Sequence, residues 1–197
     1  ATVKPILTLR LSRALPALVI GSFGLLLLFS LFYQHNRMLL GIETQAMEDV
    51  RRLLADTELH IETLYRHGQQ ELIAEQIAEL AVDSHIDSAA LLDASGKVLR
   101  ATRFEWIGRN YAELSTEPGP AEFERLRGER RAAVRFSADR QRLTAYQAVA
   151  MATDPGRLRP NQIGLLVLNY DLSRSKAASW NLLVRSMYPI WGIGILL

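Results

Sequence analysis

The pattern of hydrophobic and polar residues begins with an uninterrupted apolar segment from Ala14 to Tyr33. These twenty residues carry no charge, and a helix of this length crosses the ~30 Å hydrocarbon core of a membrane. Pro16 lies in the first turns of the segment, where a helix tolerates proline. A buried core helix would show polar positions at helical spacing, and a signal peptide would show a small-x-small cleavage site. Because the segment shows neither, we predict a transmembrane helix.

A second apolar segment, residues 187–197, reaches the last residue of the sequence before it attains the length of a span. We interpret it as the start of a second transmembrane helix. The sequence begins with Ala1 rather than Met, so we expect both ends to be cut from a longer protein. The alternative is a hydrophobic tail that only dips into the membrane interface.

The basic residues beside the first span predict the orientation of the chain. Residues 1–13 contain Lys4, Arg10 and Arg13 and no acidic residue, and the positive-inside rule places such a leader in the cytoplasm. Residues 34–186 then lie on the far side of the membrane. In a Gram-negative bacterium this is the periplasm, and the protein is a two-span protein of the inner membrane.

From Gln34 to Arg66 the pattern is helical, and apolar residues recur with heptad spacing. The seam consists of Leu40, Met47, Val50, Leu54, Thr57, Ile61 and Leu64. Glu43 interrupts it at one position. Such a seam predicts either a parallel homodimer about an imperfect coiled coil or a helix that packs on its own domain, and the pattern leaves both open.

After an interruption at His67 and Gly68, residues 69–82 have the apolar face of a second amphipathic helix. The pattern then changes to that of strands. Five segments have this pattern: Ile86–Asp93, Lys97–Arg103, Arg131–Ser137, Arg142–Met151 and Ile163–Asp171. A charged helix, Ala121–Arg130, precedes the third strand, and the chain returns to helix from Leu172.

Composition and charge exclude several classes of function. The sequence has no cysteine, which excludes disulfides and thiol catalysis. The pI is about 9.1, yet all 21 acidic residues lie between Glu43 and Asp171. The arginines of the charged helix alternate with glutamates, which is typical of a salt-bridged helix face. We therefore predict no nucleic-acid partner.

The sequence contains no recognisable catalytic motif. A nucleophile elbow, a zinc-protease helix and a phosphate-binding loop are all absent. His60 and His67 could share a metal ion with Glu71, but a solvated helix face is the more common role of such a pair. We predict no catalytic residue, no metal and no cofactor in this sequence, and whether the protein of which it is a part is an enzyme stays open.

Three short stretches resemble known proteins. They are Ala89–Thr102, the residues Ile107, Gly108, Tyr111 and Leu114, and Gly164–Asp171. They look like the opening hairpin, the connection and the last strand of PAS-like extracytoplasmic sensor domains, known as PDC or Cache domains. The resemblance covers about residues 36–180. It implies an α+β fold with a five-stranded antiparallel sheet and a long N-terminal helix, flanked by transmembrane helices.

The same resemblance implies a small-molecule pocket on one face of the sheet. The residues at the positions that shape this pocket are Trp106, Tyr111, Arg135, Tyr146 and Asp171. Arginine binds a carboxylate through two hydrogen bonds, and aromatic rings form the walls of a site, so a carboxylate-like ligand is expected. The alternative is that Arg135 is a surface residue of its strand and Tyr146 lies at the edge of the core.

These observations predict the extracytoplasmic sensor domain of a membrane signal-transduction protein. Its input is a small molecule or a periplasmic protein. The resemblance implies a cytoplasmic output after the second span, such as a histidine kinase of a two-component system, a cyclic di-GMP cyclase or phosphodiesterase, or a chemotaxis signalling region. The alternative is a two-span accessory membrane protein with a PAS-like periplasmic domain and no enzymatic output.

Overall fold

A long helix, α1 (Ile6–Arg66), opens the fold of the protein. It joins most of the basic leader, the apolar segment and the heptad region into one element. The helix ends because Gly68 has a φ of +69°, a left-handed conformation that glycine adopts without steric cost. The amide of Gln69 donates to the Leu64 carbonyl at 2.9 Å, which closes the last turn. The predicted interruption at His67 and Gly68 is thereby confirmed.

The computed structural model describes residues 6–115, 117–129, 132–151, 162–182 and 185. These residues divide into two compact units. One is Glu43–Ala177, and the other combines the segments before Glu43 and after Ala177.

The apolar part of α1 belongs to the second of these units. Its large side chains are exposed: Leu18, Leu25 and Phe29 each expose about two-thirds or more of their surface. Within the described ranges, however, no helix combines the length and the apolar character needed to cross a membrane. The predicted second span, residues 187–197, lies outside the described residues.

Four shorter helices follow α1 in the part of the chain that the structure describes. They are α2 (Leu72–Glu79), α3 (Tyr111–Leu114), α4 (Pro120–Glu129) and α5 (residues 173–182). Helix α2 continues into a 3-10 turn, Leu80–Val82, and buries Ile73, Ile77 and Leu80. The second amphipathic helix predicted for residues 69–82 is therefore present but begins later and ends as a tighter turn.

The five predicted strands form one antiparallel sheet. The strands are β1 (Ile86–Leu92), β2 (Val98–Ala101), β3 (Ala133–Phe136), β4 (Arg142–Met151) and β5 (Gln162–Asp171). Their order is β2-β1-β5-β4-β3, so the last strand of the chain lies in the centre. The long helix and the sheet confirm the predicted α+β class.

Successive residues of each strand project to opposite faces of the sheet. Gln147 pairs with Leu166 and projects to one face, while Tyr146 pairs with Val167 and projects to the other. Gln147 donates to the carboxylate of Glu58 in α1 at 2.7 Å. The face that carries Gln147 is therefore the one that meets α1.

The heptad seam lies largely inside the domain. Four of its residues are at most 2 % exposed, namely Val50, Leu54, Thr57 and Ile61. Leu40 is 60 % exposed, and Met47 and Leu64 are partly exposed. Packing on its own domain, one of the two interpretations of the pattern, thus accounts for the buried positions. The homodimer stays a prediction, and the four buried residues could join its interface only by leaving the core.

Candidate functional site

The face of the sheet opposite α1 carries an aromatic cluster. Tyr111 and Tyr146 are buried there among aliphatic residues of β1, β2 and β5, and Trp106 packs against them. The rings of Trp106 and Tyr111 meet edge to face with centroids 6.2 Å apart. Three of the five predicted ligand residues therefore lie together.

The connection after β2 positions Trp106 and Tyr111. A 3-10 turn, Phe104–Trp106, follows the strand, and Gly108 then adopts a φ of +84°. Its amide donates to the Val98 carbonyl at 2.8 Å, and the Tyr111 amide donates to the Gly96 carbonyl at 2.9 Å. These bonds fold the connection back over the sheet, so both aromatic rings face the core.

A polar network is embedded in the same face. Asn169 of β5 donates to the Ser88 hydroxyl at 3.0 Å and accepts from the Thr144 hydroxyl at 2.9 Å. Burial raises the pKa of Tyr111, and side-chain hydrogen bonds with Asn169 and Ser115 oppose this rise. Strands β1, β4 and β5 each contribute a polar group here. The sequence pattern predicted these positions only as parts of strands.

Tyr146 is held in its neutral form. Only 1 % of the residue is exposed, and burial is the main cause that raises the pKa of its hydroxyl, with smaller contributions from Tyr111 and Glu117. The phenol therefore stays protonated across the physiological pH range and can act as a hydrogen-bond donor. The interpretation of Tyr146 as an edge residue does not describe this position.

Arg135 lies on β3, an edge strand. Its positive charge is close enough to Tyr146 to lower the pKa of the Tyr146 hydroxyl slightly. The Arg135 guanidinium donates to Glu122 of α4 at 2.9 Å through one nitrogen and contacts the second carboxylate oxygen through another. The side chain is 42 % exposed. Arg135 thus already binds a carboxylate in the manner expected for a ligand, and Glu122 supplies that carboxylate.

Asp171 lies apart from the other four predicted residues. It is four positions beyond Val167, the partner of Tyr146, which corresponds to about 13 Å along the strand. Its carboxylate accepts from the Ser173 amide at 2.8 Å, and hydrogen bonds with Ser173 lower its pKa. Asp171 therefore binds the first backbone amide of α5, one of those that have no partner within the helix.

An open groove of about 400 Å³ lies between α1 and α2. Asp56, His60, Glu79 and Asp83 contribute its polar wall, and Leu80 is among its apolar residues. In the described part of the chain, no three histidine or acidic side chains are arranged to hold a metal ion.

Glu43 is the first residue of the domain Glu43–Ala177 and joins three of its elements. The residue is 7 % exposed, and its carboxylate binds Arg140 at 2.6 Å and Lys176 at 2.6 Å. The hydrogen bond from Arg140 is the largest influence on Glu43 and holds its pKa below the usual value; burial opposes this, and Lys176 reinforces it. We name Glu43, Arg140 and Lys176 the Glu43 junction. The sequence pattern showed Glu43 only as an interruption of the seam.

No protein-family model matches the chain, and no curated protein matches it. Several solved structures are similar to it. The extracellular domain of a chain described as the histidine kinase rpHK1S-Z16 has 14 % sequence identity and a TM-score of 0.49, over 68 % of this chain and 55 % of that one. The sensor domain of the V. cholerae histidine kinase DctB has 18 % identity and a TM-score of 0.35, over 61 % of this chain and 43 % of that one.

A third similar structure is an extracellular ligand binding receptor from Desulfohalobium retbaense. It has 11 % identity and a TM-score of 0.40, over 68 % of this chain and 26 % of that one. The chain thus spans about half the length of the first of these proteins and less of the other two. The descriptions of these three structures name an extracellular domain, a sensor domain and an extracellular receptor.

Proposed function

We propose that the chain is the extracytoplasmic input domain of a membrane-anchored signalling protein. The observation that carries the proposal is the contact between Lys176 of α5 and Glu43 of α1, whose charged atoms lie 2.6 Å apart. The helix that leads into the sheet and the helix that leads out of it therefore meet side by side. A domain with this arrangement can be inserted between two neighbouring membrane helices, and a change in its shape can move one helix relative to the other.

Membrane anchoring is part of the same proposal. Since no described helix qualifies as a span, its support is the uncharged run Ala14–Tyr33 and the exposure of the large apolar side chains in it. A long exposed apolar surface is unfavourable in water. In the same unit, the rings of His35 and Trp180 lie 5.0 Å apart, so α1 and α5 are also adjacent there.

The proposed input is a small carboxylate that binds beside the aromatic cluster. Arg135 already holds Glu122 with the geometry that a carboxylate ligand would use. An ion pair between partly exposed side chains contributes only about 0–1 kcal/mol, so a ligand can replace Glu122 at little cost. Tyr146 supplies a neutral phenol nearby, and Trp106 and Tyr111 form an apolar wall.

The proposed output is a movement of α5 that reaches a cytoplasmic module through a second span. The class of module, such as a histidine kinase or a cyclic di-GMP enzyme, is the expectation drawn from the sequence resemblance. A ligand shifts such an equilibrium only by its difference in affinity for the two states, typically ~1–3 kcal/mol.

Reporter fusions test the topology. A phosphatase that is active only outside the cytoplasm and a fluorescent protein that is active only inside are each fused after Arg100 and, as a control, after Arg10. We expect phosphatase activity after Arg100 and fluorescence after Arg10. Fluorescence after Arg100 would contradict the extracytoplasmic location.

Ligand binding is tested with a panel of mono- and dicarboxylates added to the full chain in detergent micelles. A ligand at a hundred times its Kd stabilises the native state by about 2.7 kcal/mol, so the thermal midpoint should rise with concentration. Arg135→Gln should abolish the rise, whereas Arg52→Gln, which removes an exposed helix-surface arginine, should not. A shift that is equal in both variants would place the binding site elsewhere.

A further inference from the structure

We propose that the Glu43 junction couples the β3–β4 hairpin to α5, so that a change in the hairpin alters the position or stability of that helix. The inference rests on the proposed function for its biological meaning, because α5 is the proposed output helix. The coupling itself is a property of the domain Glu43–Ala177 and is argued from contacts within it.

A single buried carboxylate receives both cations of the junction. Arg140 donates to it through Nε at 3.1–3.2 Å and through Nη2 at 2.6 Å, and Lys176 donates through Nζ at 2.6 Å. The same Nζ also donates to the backbone carbonyl of Arg140 at 2.6 Å. Each of the three residues therefore contacts the other two, and each comes from a different element.

The hairpin that carries Arg140 is itself under conformational constraint. Arg140 has a φ of +54°, a region that residues with a side chain rarely occupy unless their surroundings hold them there. Its guanidinium lies 5.0 Å from the centre of the Phe136 ring, at the end of β3. A change in β3 or in the turn thus displaces both the guanidinium and the carbonyl that Lys176 uses.

The base of α5 is tied to the same turn through the backbone. The amide of Leu172 donates to the Gln141 carbonyl at 2.8 Å, and the amide of Lys176 donates to the Leu172 carbonyl at 2.9 Å. A displacement of the turn therefore acts on α5 at two points, one turn of helix apart.

The buried charge of Glu43 makes α5 sensitive to the loss of either cation of the junction. The Glu43 side chain is 9 % exposed, so its carboxylate has little water to replace a lost partner, and an unpaired charge there is unfavourable. When Arg140 moves away, Lys176 is the remaining cation of the junction on the Glu43 carboxylate. Because Arg135 and Phe136 are neighbours on β3, a ligand that captures Arg135 acts on this same hairpin.

Hydrogen exchange of the full chain in detergent micelles tests the coupling. Arg140→Gln alters a residue of the hairpin turn and leaves every residue of α5 unchanged, and we expect amides 174–182 of α5 to exchange about tenfold faster, as for the loss of a hydrogen bond to a charged group. Lys176→Gln should have the same effect and leaves Glu43 paired with Arg140. The central strands β4 and β5 should keep their exchange rates.

Two further variants serve as controls. Glu48→Gln removes an exposed carboxylate five residues along the same helix, paired only with Arg52 among the ion pairs described, and should leave α5 unchanged. Lys176→Arg keeps the charge and should restore most of the protection.

Faster exchange in the hairpin alone after Arg140→Gln would overturn the coupling, and so would an equal increase throughout the sheet. Both outcomes are independent of the topology of the chain, because exchange is measured on the solubilised protein. Failure of the coupling is therefore distinguishable from failure of the proposed function, which the reporter fusions test.

Discussion

At the scale of single residues, the most informative side chain is Glu43. A charged residue in an apolar seam suggests an imperfection of that seam. In the folded chain the same carboxylate is buried and bound by two cations. Its partners are 97 and 133 residues away in the sequence. The charged residue that interrupts the apolar seam is therefore the one that forms ion pairs with distant parts of the chain.

The pKa of Glu43 predicts how stability depends on pH. Because the folded state holds this pKa below the ordinary value of 4.5, ionised Glu43 stabilises the fold above about pH 4.5. That contribution is lost as the pH falls through the lower folded pKa. The thermal midpoint of Glu43→Gln should therefore lie well below that of the unaltered chain at pH 7, and the difference should shrink towards pH 3.

Thermal unfolding from pH 3 to pH 7, followed by circular dichroism, measures this difference. Glu48→Gln is the matched control, since Glu48 is an exposed glutamate of the same helix, and its difference from the unaltered chain should be small at every pH. A difference for Glu43→Gln that is constant with pH would mean that the charge of Glu43 does not stabilise the fold.

At the scale of elements, three strands of the sheet pack closely around Gly164. Strand β5 lies between β1 and β4, so its residues have neighbours on both sides. At Gly164 a Cβ atom would overlap the carbonyl oxygen of Leu92 and the side chain of Met151. The absence of a side chain at this position therefore allows the three strands to approach.

Gly164→Ala is expected to destabilise the domain. The Leu92 carbonyl is backbone and cannot move without disturbing the ladder, and overpacking of this kind costs about 1–3 kcal/mol. Gly128→Ala is the control, because a Cβ at that position of α4 meets nothing within 4 Å. In a helix it should be neutral or stabilise by up to about 1 kcal/mol. Urea unfolding of both variants measures the difference, and equal stabilities would contradict the close approach at Gly164.

At the scale of the whole molecule, the burial of α1 restricts how two copies of the chain can associate. The heptad seam predicted a parallel homodimer, yet Val50 and Leu54 are buried in the domain of a single chain. Leu40, in contrast, is 60 % exposed. If a dimer forms about α1, its contacts should therefore be near Leu40 rather than along the central part of the seam.

Cysteine crosslinking in membranes distinguishes these arrangements. The chain has no cysteine of its own, so each introduced thiol reports on one position. We expect Leu40→Cys to form a disulfide with a second chain and Val50→Cys to stay reduced, because a buried thiol cannot approach another chain. Arg51→Cys, on the exposed face of the helix, is the control. Efficient crosslinking at Val50 would mean that this face leaves the core, and no crosslinking at any position would argue for a monomer.

The strands of this protein, its longer helices and their order follow from the amino-acid sequence alone. The predicted bounds of β1, β4 and β5 agree with the structure to within one residue, because apolar runs of strand length bounded by turn residues have few other solutions. The neighbouring Gly68 correctly predicted the end of α1 at Arg66. The choice of Trp106 and Tyr111 came from the sequence resemblance rather than from periodicity.

The contacts between surfaces of different elements, in contrast, depend on the folded chain. A heptad pattern reports that one face of a helix is apolar but does not identify what covers it, so the burial of Val50 and Ile61 could not be assigned. Asp171 and Tyr146 both lie on predicted strands, yet register separates them along the sheet. The Glu43 junction depends on side chains brought together from three distant segments. Local patterns reflect neighbours within a few residues, whereas ion pairs and strand registers are set by folding as a whole.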